Sequence, residues 1–198
     1  MRIDTFYKTE SEISYTNRIF QEIYFQKSIS KQEISKLLQL SLPTVGQSLK
    51  ELYTLGIIQK NGYFESTGGR KAEVISVASK AKVAIGVSLL REFITITALD
   101  LYGQPIKEKI CYISFERSDA YYRAFGKAVN QFIDELKYPD NAILGIGLAV
   151  QGLVSQDGQT IISGDLLGYT GTDRSVFQNN IRLPCRLFHD TEVAAYAE

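Results

Sequence analysis

A chain of 198 residues with 22 basic and 22 acidic side chains, 44% of it hydrophobic, has the balance of an ordinary globular protein of one or two domains. No apolar run approaches the ~20 residues needed to span a bilayer. The opening MRIDTFYKTESE has neither the apolar stretch nor the small-residue ending of a secretory leader, so the cytosol is the expected compartment. Cys111 and Cys185 lie far apart and the chain has a single histidine, which leaves no metal-ligand spacing; no metal or other cofactor is expected. The neutral total conceals an asymmetry. Between Lys27 and Lys71 there are seven lysines and arginines against three glutamates, a local excess that attracts phosphate.

In chain order, residues 11–26 carry Ile13, Ile19, Phe20, Ile23 and Tyr24 at helical spacing and predict a helix with one apolar face. Ser30 followed by Glu33 forms a capping box, in which each side chain satisfies a backbone N–H of the other. It opens a two-turn helix whose inward face is read as Ile34, Leu37 and Leu38. Leu40 and Ser41 make a short turn. Ser41 is a natural N-cap for LPTVGQSLKELYTLG, with Pro43 in the first turn, where its missing N–H does no harm, and Gly56 placed as a C-terminal cap. Val45, Leu49 and Leu52 face inward, so Thr44, Gln47, Ser48 and Lys50 are read as the outer face. Two short helices joined by a tight turn are the helix-turn-helix pattern. Small polar residues on the second helix suit entry into a major groove, or simply a solvated face of a three-helix bundle. Gly46 carries a helix-propensity cost of ~1 kcal/mol and serves either close approach to DNA or helix packing.

Residues 57–60 read as a short strand, Asn61-Gly62 as a turn, residues 66–71 (STGGRK) as a flexible basic tip, and residues 73–77 as a returning strand. A hairpin directly behind the third helix is the wing of a winged helix. Arg70 at its tip can reach a minor groove, where narrow width and negative potential favour arginine. The DNA-contacting set is therefore Ser41, Thr44, Gln47, Ser48, Lys50, Arg70 and Lys71.

From residue 80 the pattern turns to strands: 82–89, 92–101 and 106–114, with a Tyr102-Gly103 turn, then an amphipathic helix over 119–136 and a buried strand over 142–150. Three strands, a helix and a further strand resemble the opening of a ribonuclease-H-like domain of the actin/hexokinase type. The expected fold is α/β overall: a winged helix-turn-helix over residues 1–79, and over 80–198 a partial lobe of that type.

The stretches LSLPTVGQSLKELYTLGII, STGGRKAEVISV, AIGVSLLREFITITALDLYGQPI, LGIGLAVQGLVSQDGQTI and LPCRLFHDTEVAAYAE, in this order and spacing, resemble the ROK family, which groups repressors, uncharacterised reading frames and sugar kinases. The resemblance implies a repressor whose operator binding is set by a sugar or sugar phosphate, acting as a homodimer on double-stranded DNA. It also implies that family members continue well past the point matched by Glu198, with a second lobe and a cysteine/histidine zinc motif. The lobe here is read as truncated.

Two departures from the family pattern bear on activity. Family kinases carry a DxGxT-type phosphate loop after the first strand of the lobe. Here the segment is Ser88-Leu89-Leu90-Arg91, without the acid and the glycines, so no catalytic residue and no enzyme activity are expected. The alternative is a sugar kinase with an accessory N-terminal domain, and a third reading makes the lobe only a dimerisation module. Near the end, where the family reads approximately E-N-D-A-N, this chain has His189, Asp190, Thr191 and Glu192. The resemblance makes Asp190 an acceptor for a sugar hydroxyl with His189 and Glu192 beside it. The same residues equally suit an ordinary strand-to-helix cap. Gly164, Asp165 and Gly168 fall where family members place a loop against the sugar.

Overall fold

The computed structural model describes residues 14–65 and 71–192, and the chain divides into two compact units, Met1–Ala81 and Lys82–Glu198. In the first, three helices precede an antiparallel strand pair: α1 Tyr15–Gln26, α2 Lys31–Leu38, α3 Leu42–Thr54, β1 Ile58–Tyr63 and β2 Glu73–Val77. Each helix starts on a serine. Ser14, Ser30 and Ser41 all accept from a backbone N–H three residues on, which satisfies donors that have no partner inside the helix. The predicted capping box is present, with the Ser30 N–H donating to the Glu33 carboxylate at 2.7 Å. Those hydrogen bonds hold the Glu33 carboxyl below its ordinary range.

Ile19 and Ile23 of α1, Ile34 of α2, and Val45, Leu49 and Leu52 of α3 are buried together with Ile58, Ile75 and Val77 of the strands. Burying each such side chain contributes about 1.5–3 kcal/mol. Leu37 does not share that face as expected: it is 55% exposed. A helix of eight residues presents little more than one inward row, here held by Ile34.

The hairpin also differs from expectation. Asn61-Gly62 is not its turn: β1 runs on to Tyr63, with a register shift between Lys60 and Tyr63. Gly62 has φ of 81°, a conformation that serves a bulge as readily as a two-residue turn. β2 gains a second partner on its other side, since Ile29 and Ile75 exchange both backbone hydrogen bonds. The link between α1 and α2 is too short for that bridge to show as a strand in the sequence.

The second unit contains β3 Val83–Leu89, β4 Ile94–Leu99, β5 Pro105–Cys111, α4 Asp119–Leu136, β6 Ile143–Val150, β7 Leu153–Val154, β8 Ile161–Ser163, α5 Ser175–Gln178 and β9 Cys185–His189. Five strands form a mixed sheet in the order β5-β4-β3-β6-β9. β3, β6 and β9 are parallel, and β4 runs antiparallel to both its neighbours, β3 and β5. The Tyr102-Gly103 turn is as read: Gly103 has φ of 74°, and the Asp100 carboxylate accepts from the N–H groups of Tyr102 and Gln104. β3 and β4 alternate strictly, sending Val83, Ile85, Val87, Leu89, Ile94 and Ile96 into a core completed by Phe125, Val129, Phe132 and Ile133 of α4. β6, read as a buried strand, buries Ile146, Leu148 and Val150 in alternation and leaves the small Gly147 and Ala149 half-buried between them, while at its start Leu144 is exposed. No helix among the described residues is long and apolar enough to cross a membrane.

Candidate functional site

α2, the turn and α3 build the first candidate surface. Gln39 takes a left-handed conformation with φ of 53°, and the Ser35 hydroxyl donates to the Leu40 carbonyl, so the chain turns sharply onto Ser41. The Ser41 hydroxyl caps α3 through the Thr44 N–H and lies 2.8 Å from the Thr44 hydroxyl. Both hydroxyls, predicted to meet DNA, are thus already engaged in the cap, on the exposed side of the helix start. Gln47 and Lys50 are exposed, with Pro43, on the face opposite Val45 and Leu52.

Ser48 is the exception among the α3 residues. It is only 6% exposed, and its oxygen lies 3.2 Å from the Thr16 hydroxyl of α1. That hydroxyl also lies 2.8 Å from the Glu51 carboxylate. Ser48 therefore faces inward, three residues after Val45 and one before Leu49, and leaves the outer-face set. A small polar residue at a helix packing contact looks, in sequence, the same as one on a solvated face. Lys71 is exposed just before β2. Arg70 and the rest of the basic tip lie outside the described residues.

The second candidate surface is the carboxyl end of the parallel strands. β3 runs into Leu90-Arg91, β6 into Gln151-Gly152, and β9 into His189-Asp190, where a helical segment begins. In open α/β sheets this edge is where ligands bind. The loop after β8 closes on itself there. Thr170 accepts from the Gly164 N–H and donates to the Asp165 carboxylate, while the Gly164 carbonyl accepts from Tyr169.

Tyr169 organises this end and went unnoticed in the sequence. Its side chain is fully buried, and a Cβ on Gly164 would lie 2.3 Å from its ring. Gly164 is therefore glycine because of Tyr169. Burial, and secondarily the charge of Asp190, push the Tyr169 phenol up to about 12, against the opposing effect of the Gln151 backbone. The tyrosine thus packs beneath the Gly164–Asp165 loop and lies within the electrostatic reach of Asp190, 25 residues beyond Asp165 in the sequence. The only hint was an aromatic residue inside a glycine-rich loop.

His189, Asp190 and Thr191 form a local cluster. The Thr191 N–H donates to the Asp190 carboxylate, the Thr191 hydroxyl hydrogen-bonds the His189 Nδ1, and His189 Nε2 lies 3.6 Å from Asp190. Glu192 is exposed on the helical segment and is not drawn into that cluster by any hydrogen bond among the described residues. The β3–β4 turn carries the last feature: the Arg91 guanidinium donates to the Leu166 carbonyl, tying this turn to the loop around Asp165. Arg117 does the same from before α4, donating to the Thr170 carbonyl.

Residues 84–198 match the ROK family. The chain belongs to that family. It is 26% identical over 182 residues to the xylose repressor of Caldicellulosiruptor bescii, an alignment covering 91% of this chain and 46% of that protein. It spans about half the length of the curated relatives it matches. A crystal structure of a ROK family transcriptional regulator, a homologue of the E. coli MLC protein, superposes with a TM-score of 0.70 at 18% identity, covering 92% of this chain and 47% of that one. A ROK family glucokinase from Streptomyces griseus, solved with glucose and AMPPNP, superposes with a TM-score of 0.50 at 16% identity over 59% of this chain and 36% of that one. The mixed sheet of the second unit is thus a ROK lobe of sugar-kinase type. At the end of its first strand this ROK chain carries Ser88, and in the following turn an arginine bonded to the chain's own backbone.

Proposed function

We infer that this chain is the operator-binding and sugar-facing part of a transcriptional regulator, most simply a repressor of sugar-utilisation genes working in the cytosol. Residues 1–79 act as a winged helix-turn-helix. α3 is the recognition helix, with Gln47 reading base edges and Lys50, Arg70 and Lys71 supplying phosphate or minor-groove contacts. Ser41 and Thr44 present the capped helix start to the phosphate backbone. The observation that carries this reading is the order of parts: a capped pair of short helices, an α3 whose outward face is polar and basic, and a β-hairpin directly behind it. The repressor name of the xylose relative supports it.

In the lobe, a sugar or sugar phosphate is held at the carboxyl end of the parallel strands, with Asp190 accepting a sugar hydroxyl and Gly164, Asp165, His189 and Glu192 lining the site. As a homodimer the regulator sets two recognition helices about one helical turn apart on a near-palindromic operator. Effector binding lowers operator affinity by favouring a second arrangement of the winged domains. The glucokinase likeness favours a second reading, a sugar kinase. Against it stand Ser88, which replaces the acid that would help hold Mg-ATP, and Arg91 bonded to Leu166 where a nucleotide phosphate would approach.

The test is binding of the purified chain to the DNA upstream of its own gene, with salt titrated and an Arg70→Ala/Lys71→Ala variant alongside. Sequence-preferring binding that the variant loses supports the regulator. Binding no better than to random DNA, by a folded protein, refutes operator reading by this chain. Magnesium-dependent ATP turnover with a sugar would establish the kinase.

A further inference from the structure

Gly46 sits in the middle of α3, where glycine is a poor helix former. Its neighbour explains it. A Cβ on Gly46 would lie 2.6 Å from the Lys31 Nζ and 3.3 Å from its Cε, so the first side chain of α2 lies across the backbone of α3 at this one position. The acids nearest in sequence on these helices are engaged elsewhere: Glu33 accepts from the Ser30 N–H, and Glu51 lies 2.8 Å from the Thr16 hydroxyl. Among the described residues Lys31 has no ion-pair partner. Gly46 lies one helical turn before exposed Lys50 and three residues after exposed Pro43, so the Lys31 ammonium lies over the stretch of α3 that borders its outward face, and Lys50 too has no ion-pair partner among the described residues. Two cations that find no acid on these helices are suited to an anion supplied from outside.

We propose that Lys31 is a phosphate-contacting residue of the DNA interface and that Gly46 is a positioning residue acting through it. This rests on the DNA-binding reading and deepens it. In a helix-turn-helix the first helix crosses the nucleic-acid backbone while the second enters the groove, and Lys31 stands where these two roles meet. The glycine lets the ammonium lie flat against α3, so the cation stays at the groove edge without blocking Gln47. The contact is to phosphate and carries no sequence information. A random-sequence duplex is therefore sufficient as the probe.

The experiment is fluorescence anisotropy of the full chain with a labelled random-sequence duplex across a salt series. Lys31→Ala is expected to reduce the slope of log affinity against log salt by about 0.9 and to weaken binding about fivefold near ~0.15 M salt, the effect of one counterion released. Lys31→Arg should restore both. Gly46→Ala meets only the flexible end of a lysine, so the helix is kept while the ammonium is displaced. It should shift affinity and slope in the same direction as Lys31→Ala, by less. The double variant should be no weaker than Lys31→Ala alone, because the glycine acts only through the lysine. The proposal is overturned if Lys31→Ala leaves the slope unchanged while Lys50→Ala lowers it; DNA binding then stands without this contact. It is overturned equally if Gly46→Ala weakens the Lys31→Ala protein further. If the wild-type chain shows no salt-dependent binding at all, the DNA reading itself fails and Lys31 with it.

Discussion

The two units use the same kinds of residue for opposite purposes. In the first, Gly46 is small because a flexible lysine lies over it, and the neighbouring polar side chains Gln47 and Lys50 face outward. In the second, Gly152 and Gly164 are small because the chain's own rigid parts press on them. A Cβ on Gly152 would meet the Ser163 carbonyl oxygen at 2.3 Å, and one on Gly164 the Tyr169 ring at 2.3 Å. A glycine within a candidate site thus marks approach by an outside partner only where its neighbour can give way. Where the neighbour is backbone or a packed ring, the glycine belongs to the fold, and the ligand meets what the glycine has positioned.

The sharpest way to break that contrast is to add the same methyl group in both units. Gly152→Ala drives a Cβ into a main-chain carbonyl, and overpacking of this sort costs about 1–3 kcal/mol or more. Urea unfolding of the second unit should show that loss. Gly164→Ala should follow closely, since the Tyr169 ring is fully buried and cannot swing clear. Gly46→Ala should leave stability unchanged or slightly raised, as alanine is the better helix former by ~1 kcal/mol. Equal losses at Gly46 and Gly152 would show that the first unit is packed as tightly around its glycine as the second, and would remove the distinction.

A smaller effect separates capping from recognition in the first unit. The Ser41 hydroxyl serves α3 through the Thr44 N–H, so Ser41→Ala should lower stability by about 1 kcal/mol, read as a drop in melting temperature. Gln47→Ala should leave the melting temperature where it is and relax base preference instead. If Ser41→Ala abolishes DNA binding without loss of stability, its hydroxyl is a recognition group and the cap is secondary.

These contrasts also show what the sequence could reveal. Serine caps, the apolar rows of α1 and α3, the strict alternation of β3 and β4 and the Tyr102-Gly103 turn are local rules, and each was readable from its own neighbourhood. Leu37, Ser48 and Gly62 were misread because their environment is decided by another element: the shortness of α2, the passage of α1 over α3, and the bulge in β1. In the lobe, the family resemblance pointed to Gly164, Asp165 and Asp190 as candidates. Tyr169, packed against Gly164, drew no notice, because its burial depends on how the loop after β8 closes. Gly46 drew notice as a costly helix residue, but its contact with Lys31 was hidden, the two being 15 positions apart on different helices.

The smallest effect expected concerns an ion cluster that shares no residue with either candidate site. Lys107 and Lys109 of β5 reach Glu135 of α4 at 2.7 and 2.8 Å, and their hydrogen bonds hold the Glu135 carboxyl down to about 2, against an ordinary 4.5. A carboxyl whose folded value is depressed stabilises the protein above its ordinary value, and that stabilisation fades as pH falls from 4.5 towards 2. The three groups are solvent-accessible, so the contribution is small and weakened by salt. Glu135→Gln should therefore unfold slightly more easily than the wild type at neutral pH, with the two denaturation midpoints converging as acid approaches pH 2. A gap that persists unchanged into that range would mean that the Glu135 stem and its contacts, not its charge, fasten α4 to the sheet edge. The charge of Glu135 would then be incidental at this sheet edge, and any charge-dependent stability of the second unit would rest on its other ion pairs, such as Arg182 with Asp134 and Asp140.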